Sequence, residues 1–165
     1  MRSTIGIDVA APRELVFALA RDVTRWPDLL PHYVRADGVA APDAAGRTLV
    51  RFVARRPLVP VLGLAVPVAW RSLTWAEGET CELRFVHRGG ATNGMDVTWH
   101  LTPGGDGGTH VEIEHVFAPR IPGWAWLIDR LFTRAVAGRT LAAFRSIAEA
   151  VATPPTSERP DPANP

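Results

Sequence analysis

The chain has 165 residues, 47% of them hydrophobic, with a formal net charge of +1. That length and apolar content suit one domain with a real core and exclude an unfolded chain. The near-zero charge excludes nucleic-acid binding by electrostatics alone. All 18 basic residues are arginine, and only Arg55 and Arg56 adjoin in sequence, which makes no basic patch. Cys81 is the single cysteine, so no internal disulfide or redox pair forms; an unpaired thiol and the lack of an apolar leader point to the cytoplasm.

Ser3–Val9 alternates, with Ile5, Ile7 and Val9 on one face, and reads as a strand. Ala11-Pro12 opens a helix that runs to Ala20, with Leu15, Val16, Leu19 and Ala20 as its inner stripe. Residues 22–33 follow as Asp-Val-Thr-Arg-Trp-Pro-Asp-Leu-Leu-Pro-His-Tyr. Trp26, Leu29 and Leu30 are too apolar for an ordinary connector, while Pro27 and Pro31 stop a long helix. Two short helical turns are predicted there. Tyr33–Val39, Arg47–Arg55 and Ala65–Trp75 read as the next three strands, with turns at Asp43–Gly46 and Glu77-Gly78. Between them, residues 57–68 are strongly aliphatic and carry three readings: a continuation of the sheet, a contact with a second copy, or a lid that touches a membrane.

The last three strands alternate cleanly. Thr80–His87 places Cys81, Leu83, Phe85 and His87 on one face; Asn93–Thr102 does so for Met95, Val97, Trp99 and Leu101; His110–Phe117 for Val111, Ile113, His115 and Phe117. Pro103–Gly108 is the hairpin between the last two. One wet face and one apolar face are what an antiparallel sheet over a core requires. Ile121–Val151 reads as one long amphipathic helix, its inner stripe including Trp124, Ile128, Leu131, Phe132 and Ala135, with Gly138 as a weak point that marks a bend. The proline-rich stretch from Thr153 onward reads as a disordered tail, leaving one domain over residues 1–152.

This order, together with Val16-Phe17, Asp22-Val23, Trp26-Pro27, Leu30-Pro31 and Trp99-His100-Leu101, resembles the START-like helix-grip (SRPBCC) superfamily. Aromatic polyketide cyclases, coenzyme-Q-binding proteins and birch-pollen-allergen-like proteins are members. The resemblance implies an α+β helix-grip fold: a curved antiparallel sheet of about seven strands wrapped around a long C-terminal helix, with two short helices after the first strand. It also implies a hollow between sheet and helix. An unfilled apolar void of about 300 Å³ would cost roughly 7 kcal/mol, comparable to the net stability of a domain. Water, a ligand or large side chains must therefore fill it.

His87 and His115 are the polar residues on otherwise apolar faces, and imidazole titrates near neutrality, so both are candidate pocket acids, bases or orienting groups. Tyr33 is a candidate hydrogen-bond donor at the pocket mouth. Trp70 and Arg71 fall on opposite faces of their strand, and an inward Arg71 would polarise a carbonyl; the pattern leaves open which points inward. Trp26, Trp70, Phe85, Met95, Val97, Trp99, Ile113, Phe117, Trp124, Ile128, Leu131, Phe132 and Ala135 are the candidate wall. There is no metal-binding, phosphate-loop or nucleophile-elbow motif, so neither a metal nor another cofactor is expected. Two functions fit the resemblance. One is a cyclase-like enzyme that orients a poly-ketone for aldol closure and dehydration; the other is a non-catalytic lipid or quinone carrier. The expected partner is a hydrophobic small molecule, with 57–68 and 121–127 as candidate membrane or homodimer contacts.

Overall fold

The computed structural model describes residues 1–59, 64–119, 121 and 123–153, without the side chains of 56–59, 64, 125, 131 and 132. The sequence expectations for the tip of the aliphatic stretch at 60–63, and for the tail beyond Thr153, lie outside the described residues, as do those for the Leu131 and Phe132 side chains. One antiparallel seven-stranded sheet runs in the order β1-β7-β6-β5-β4-β3-β2. Its strands are β1 (Arg2–Val9), β2 (Tyr33–Gly38), β3 (Thr48–Val59), β4 (Leu64–Glu77), β5 (Glu82–His87), β6 (Asp96–Pro103) and β7 (Thr109–Val116). Each strand from β3 to β7 pairs with the one before it in sequence, and β1 closes onto β7. The α+β helix-grip architecture expected from the sequence is the one observed, and residues 57–59 and 64–68 continue the sheet.

Alternation dictates which side chains face inward. In β5 the burial pattern puts Leu83, Phe85 and His87 inside, and in β7 it puts Val111, Ile113 and His115 inside. β2 breaks the rule: Tyr33 and Ala36 are both buried, with Val34 and Arg35 exposed between them. A bulge between Tyr33 and Arg35 inserts the extra residue and turns the Tyr33 ring inward.

α1 (Arg13–Arg21) buries Val16, Phe17 and Ala20 and ends at Asp22, whose carboxylate caps the next short turn by accepting from Thr24 N. That turn, Val23–Arg25, leads into α2 (Trp26–Leu29), which Pro27 suits at its start. Trp26 is thereby driven into the core.

The C-terminal helix starts with α3 (Trp124–Ile128), widens into a π-type turn over Asp129–Thr133, and continues as α4 (Arg134–Ala152). The irregularity expected at Gly138 is absent there; it sits one turn earlier, at the wide turn. Gly138 lies within regular α4, and a Cβ placed on it would meet Ile5 Cδ1 of β1 at 3.5 Å, an ordinary contact. No helix among the described residues is long and apolar enough to cross a membrane.

Because neither backbone angle nor space at position 138 requires glycine, Gly138→Ala is expected to raise the unfolding free energy by about 0.5–1 kcal/mol. Urea denaturation measures it; a loss of stability would mean that α4 and β1 are packed too tightly for one methyl group.

Candidate functional site

The inner sheet face and α4 enclose a hollow, and aromatic rings fill most of it. Trp26 is the centre: its ring lies 5.2 Å from Tyr33, 5.4 Å from Trp99, 5.7 Å from Phe85, 5.7 Å from Phe144 and 5.9 Å from Phe52. Its indole N–H donates to Ala20 O at 3.0 Å, which fixes the ring's tilt. Trp70 stacks on Phe52 across the β3–β4 pair at 5.3 Å and also stacks on His87 at 6.1 Å. The space left is a cavity of about 60 Å³. Of the three fillings open from the sequence, large side chains take most of the space, and what remains is room for a few waters.

Five polar side chains converge on that remainder: Tyr33, His87, His115, Thr133 and Thr140. His87 Nδ1 is 2.8 Å from Thr92 Oγ1, a partner supplied by the β5–β6 loop. That loop is tied to the long helix by the Trp124 indole N–H, which donates to Ala91 O at 3.0 Å. His115 Nδ1 is buried and has no hydrogen-bond partner among the described residues. Thr140 donates back to Val136 O at 2.9 Å, so its contact with His32 Nε2 at 3.0 Å is one in which the imidazole donates.

Burial governs the charge state of these groups. His87 is pushed down to about 3, chiefly by desolvation and then by neighbouring His115. His115 is lowered to about 4, because desolvation outweighs the opposing pull of the Asp129 carboxylate and the Ser3 backbone. His32 is also lowered to about 4 by desolvation and by Arg139. The Tyr33 phenol is raised well above its usual range by complete burial. Every lining side chain among the described residues is neutral at pH 7. Such a site orients a neutral ligand through hydrogen bonds; it has no ionised base or imidazolium to offer.

The residues expected to form the wall fall in different places. Trp26, Trp70, Phe85, Met95, Val97, Trp99 and Ile113 line the cavity with His87 and His115. Tyr33 does so from deep within the core, 6% exposed, and not from a mouth. Arg71 does not reach the cavity: Trp70 takes the inward direction of β4, and Arg71 is exposed on the outer face. Phe117 and Ile128 pack into the core away from the cavity, Trp124 bonds the β5–β6 loop, and Ala135 is half-buried outside the lining. The residues missed are Phe52, Thr133, Val136, Ala137 and Thr140. Phe52 was open to detection, since Val50, Phe52 and Ala54 alternate inward along β3. The helical ones were hidden by the wide turn, whose extra residue rotates the inner stripe from Ala135 onto Val136 and Ala137.

The sequence profile of a family described as polyketide cyclase / dehydrase and lipid transport matches residues 2–152. No curated protein matches the chain. Among solved structures, the Zhui aromatase/cyclase from a Streptomyces species superposes with a TM-score of 0.73 at 16% identity, over 90% of this chain and 93% of that one. The protein TTHA0849 from Thermus thermophilus gives 0.69 at 22% identity, over 93% of this chain and 100% of that one. The di-domain aromatase/cyclase BexL of the BE-7585A biosynthetic pathway gives 0.70 at 23%, over 93% of this chain and 48% of that one. At these identities the likeness is one of fold.

The depressed histidines carry a pH signature. Their folded values lie below the unfolded value near 6.5, so the unfolded chain takes up protons that the folded chain refuses. Stability is therefore complete above about pH 6.5 and falls as pH drops toward 4, by roughly 2 kcal/mol per histidine between pH 7 and pH 5. Urea titrations at stepped pH measure this. His87→Gln and His115→Gln are each expected to flatten the slope; an unchanged slope in both would mean that the imidazoles are not held neutral.

Proposed function

The chain belongs to the polyketide cyclase / dehydrase and lipid transport family, and from that premise we propose that it binds a neutral, mostly apolar small molecule in the hollow and orients it for aldol cyclisation and dehydration. The observation that carries this reading is the convergence of Tyr33, His87, His115, Thr133 and Thr140 on one otherwise aromatic cavity. A carrier needs an apolar wall and little else. A site that folds a poly-ketone needs several hydrogen-bond partners at fixed positions.

The chemistry suits neutral groups. In an intramolecular aldol closure the enol carbon bonds to the ketone carbon, and the enol proton ends on the new oxygen. Loss of water then forms the ring double bond. No net proton or electron is exchanged with the protein, so its work is to hold the chain in the closing conformation and keep solvent out. His115 Nδ1, buried without a partner among the described residues, is the group that a ligand hydroxyl would satisfy. Thr133 and Thr140, one helical stretch apart, face the opposite wall. Because about 60 Å³ holds no polyketide, binding must displace rings. Trp70 is the half-buried ring of that lining, stacked between Phe52 and His87.

The carrier reading keeps one supporting observation. Ile121 and Trp126 at the start of the long helix are 63% and 64% exposed, and Arg130 lies over the Trp126 ring at 5.8 Å. Paired apolar and cationic groups of this kind suit a membrane interface.

Incubation with a synthetic poly-β-ketone thioester separates the two. Faster formation of a single cyclised product is expected, with a rate flat from about pH 6 to 8 because the histidines do not titrate there. His115→Ala should lower that rate by about 10²-fold, the typical effect of losing one orienting hydrogen-bond group from a dry site, with circular dichroism unchanged. No acceleration by the wild type, together with transfer of lipid between vesicles, would establish the carrier instead.

A further inference from the structure

Four arginines scattered in sequence meet on the outer face of the sheet. Arg35 of β2, Arg51 of β3, Arg71 of β4 and Arg88 just after β5 line one open groove, floored by Leu49 and Val53. Strand pairing assembles them: Arg51 sits directly opposite Arg71, and Arg88 N donates to Arg71 O at 2.9 Å. All four are exposed. Elsewhere on this face several basic groups are matched, Arg2 with Glu114, Arg84 with Glu82 and His110 with Asp8, while Arg55 further along β3 is not, among the described residues. In the groove only Arg35 has a carboxylate, Asp37 at 3.3 Å; Arg51, Arg71 and Arg88 form no ion pair among the described residues.

Like charges directly opposite on a sheet destabilise it. Four guanidiniums against one carboxylate leave three positive charges in the groove, whereas the whole chain carries only +1; everything outside the groove is therefore net negative. We propose that this groove is a binding site for a soluble ligand bearing a diphosphate group. Guanidinium forks match phosphate oxygens bidentately. A phosphate monoester brings about two negative charges, and the second phosphate adds the rest of what the groove lacks. Arginines on three neighbouring strands, about 4.8 Å apart, straddle a group of that size, and the aliphatic floor receives the ligand's apolar part. The surface is the outer side of a sheet that curls around its helix, a shape that does not lie flat on a bilayer. The site is separate from the inner cavity and does not depend on the reading given to it.

Titration with inorganic pyrophosphate at constant ionic strength tests the proposal, by calorimetry and thermal shift. Saturable 1:1 binding is expected, with a melting temperature raised by roughly 5–10 °C at about 100-fold over Kd. The double variant Arg51→Gln/Arg71→Gln should bind at least about 10-fold more weakly while melting no lower than the wild type, since a like-charge pair is removed. Absence of pyrophosphate binding, or binding of equal strength by the double variant, overturns the proposal. So does binding to phosphatidylcholine vesicles containing phosphatidic acid without affinity for pyrophosphate, which would assign the face to a membrane.

Discussion

One indole holds the architecture together. Trp26 stands where the Val23–Arg25 turn meets α2, and its ring touches rings from β2, β3, β5, β6 and α4 at once. The bond from its N–H to Ala20 O joins that wedge to the end of α1. Sheet and helix in this fold meet at an angle that leaves a gap, and an empty gap is costly. Trp26 fills it. Ring pairs of this kind add about 0.5–1.5 kcal/mol each beyond the area they bury, so the cluster is a large share of what stabilises the domain. It is also what the proposed ligand would rearrange.

The polar groups derive their character from the same packing. Rings on every side exclude water, and a dry imidazole does not take a proton. His87 is satisfied by Thr92 of a loop that Trp124 ties to the long helix, whereas His115 Nδ1 has no partner among the described residues. A natural core rarely leaves a buried polar atom unpaired without a reason. Here the residue that carries the unpaired atom lines the small cavity left between the rings. The combination favours a ligand that is itself neutral, carries a hydroxyl or carbonyl, and has enough flat apolar surface to replace the ring contacts it disturbs.

Much of this was legible in the chain. Alternation in β5, β6 and β7 assigned the inner face correctly, from Phe85 and His87 through Trp99 to Ile113 and His115, because period two admits no other phase once one face is buried. The segment around Trp26-Pro27 announced two short turns with unusually apolar side chains. What stayed hidden depended on departures from regular period. The bulge after Tyr33 drew that ring deep into the core instead of to a mouth, and the wide turn at Asp129–Thr133 shifted the helix stripe so that Ala135 yielded to Val136, Ala137 and Thr140. The direction of Trp70 against Arg71 was settled by pairing with Phe52, which no local pattern contains. The size of the cavity was not legible at all, since it follows from how rings interlock in three dimensions.

The central claim is that a neutral ligand enters this hollow by displacing rings and meets His115. A crystal structure of the protein soaked with a bicyclic hydroxy-ketone tests that claim most directly. The account predicts the compound between the inner sheet face and α4, an oxygen within hydrogen-bonding distance of His115 Nδ1, and the Trp70 ring turned away from Phe52. A compound bound outside the hollow, with the Trp26 cluster intact and His115 Nδ1 still unpaired, would contradict it.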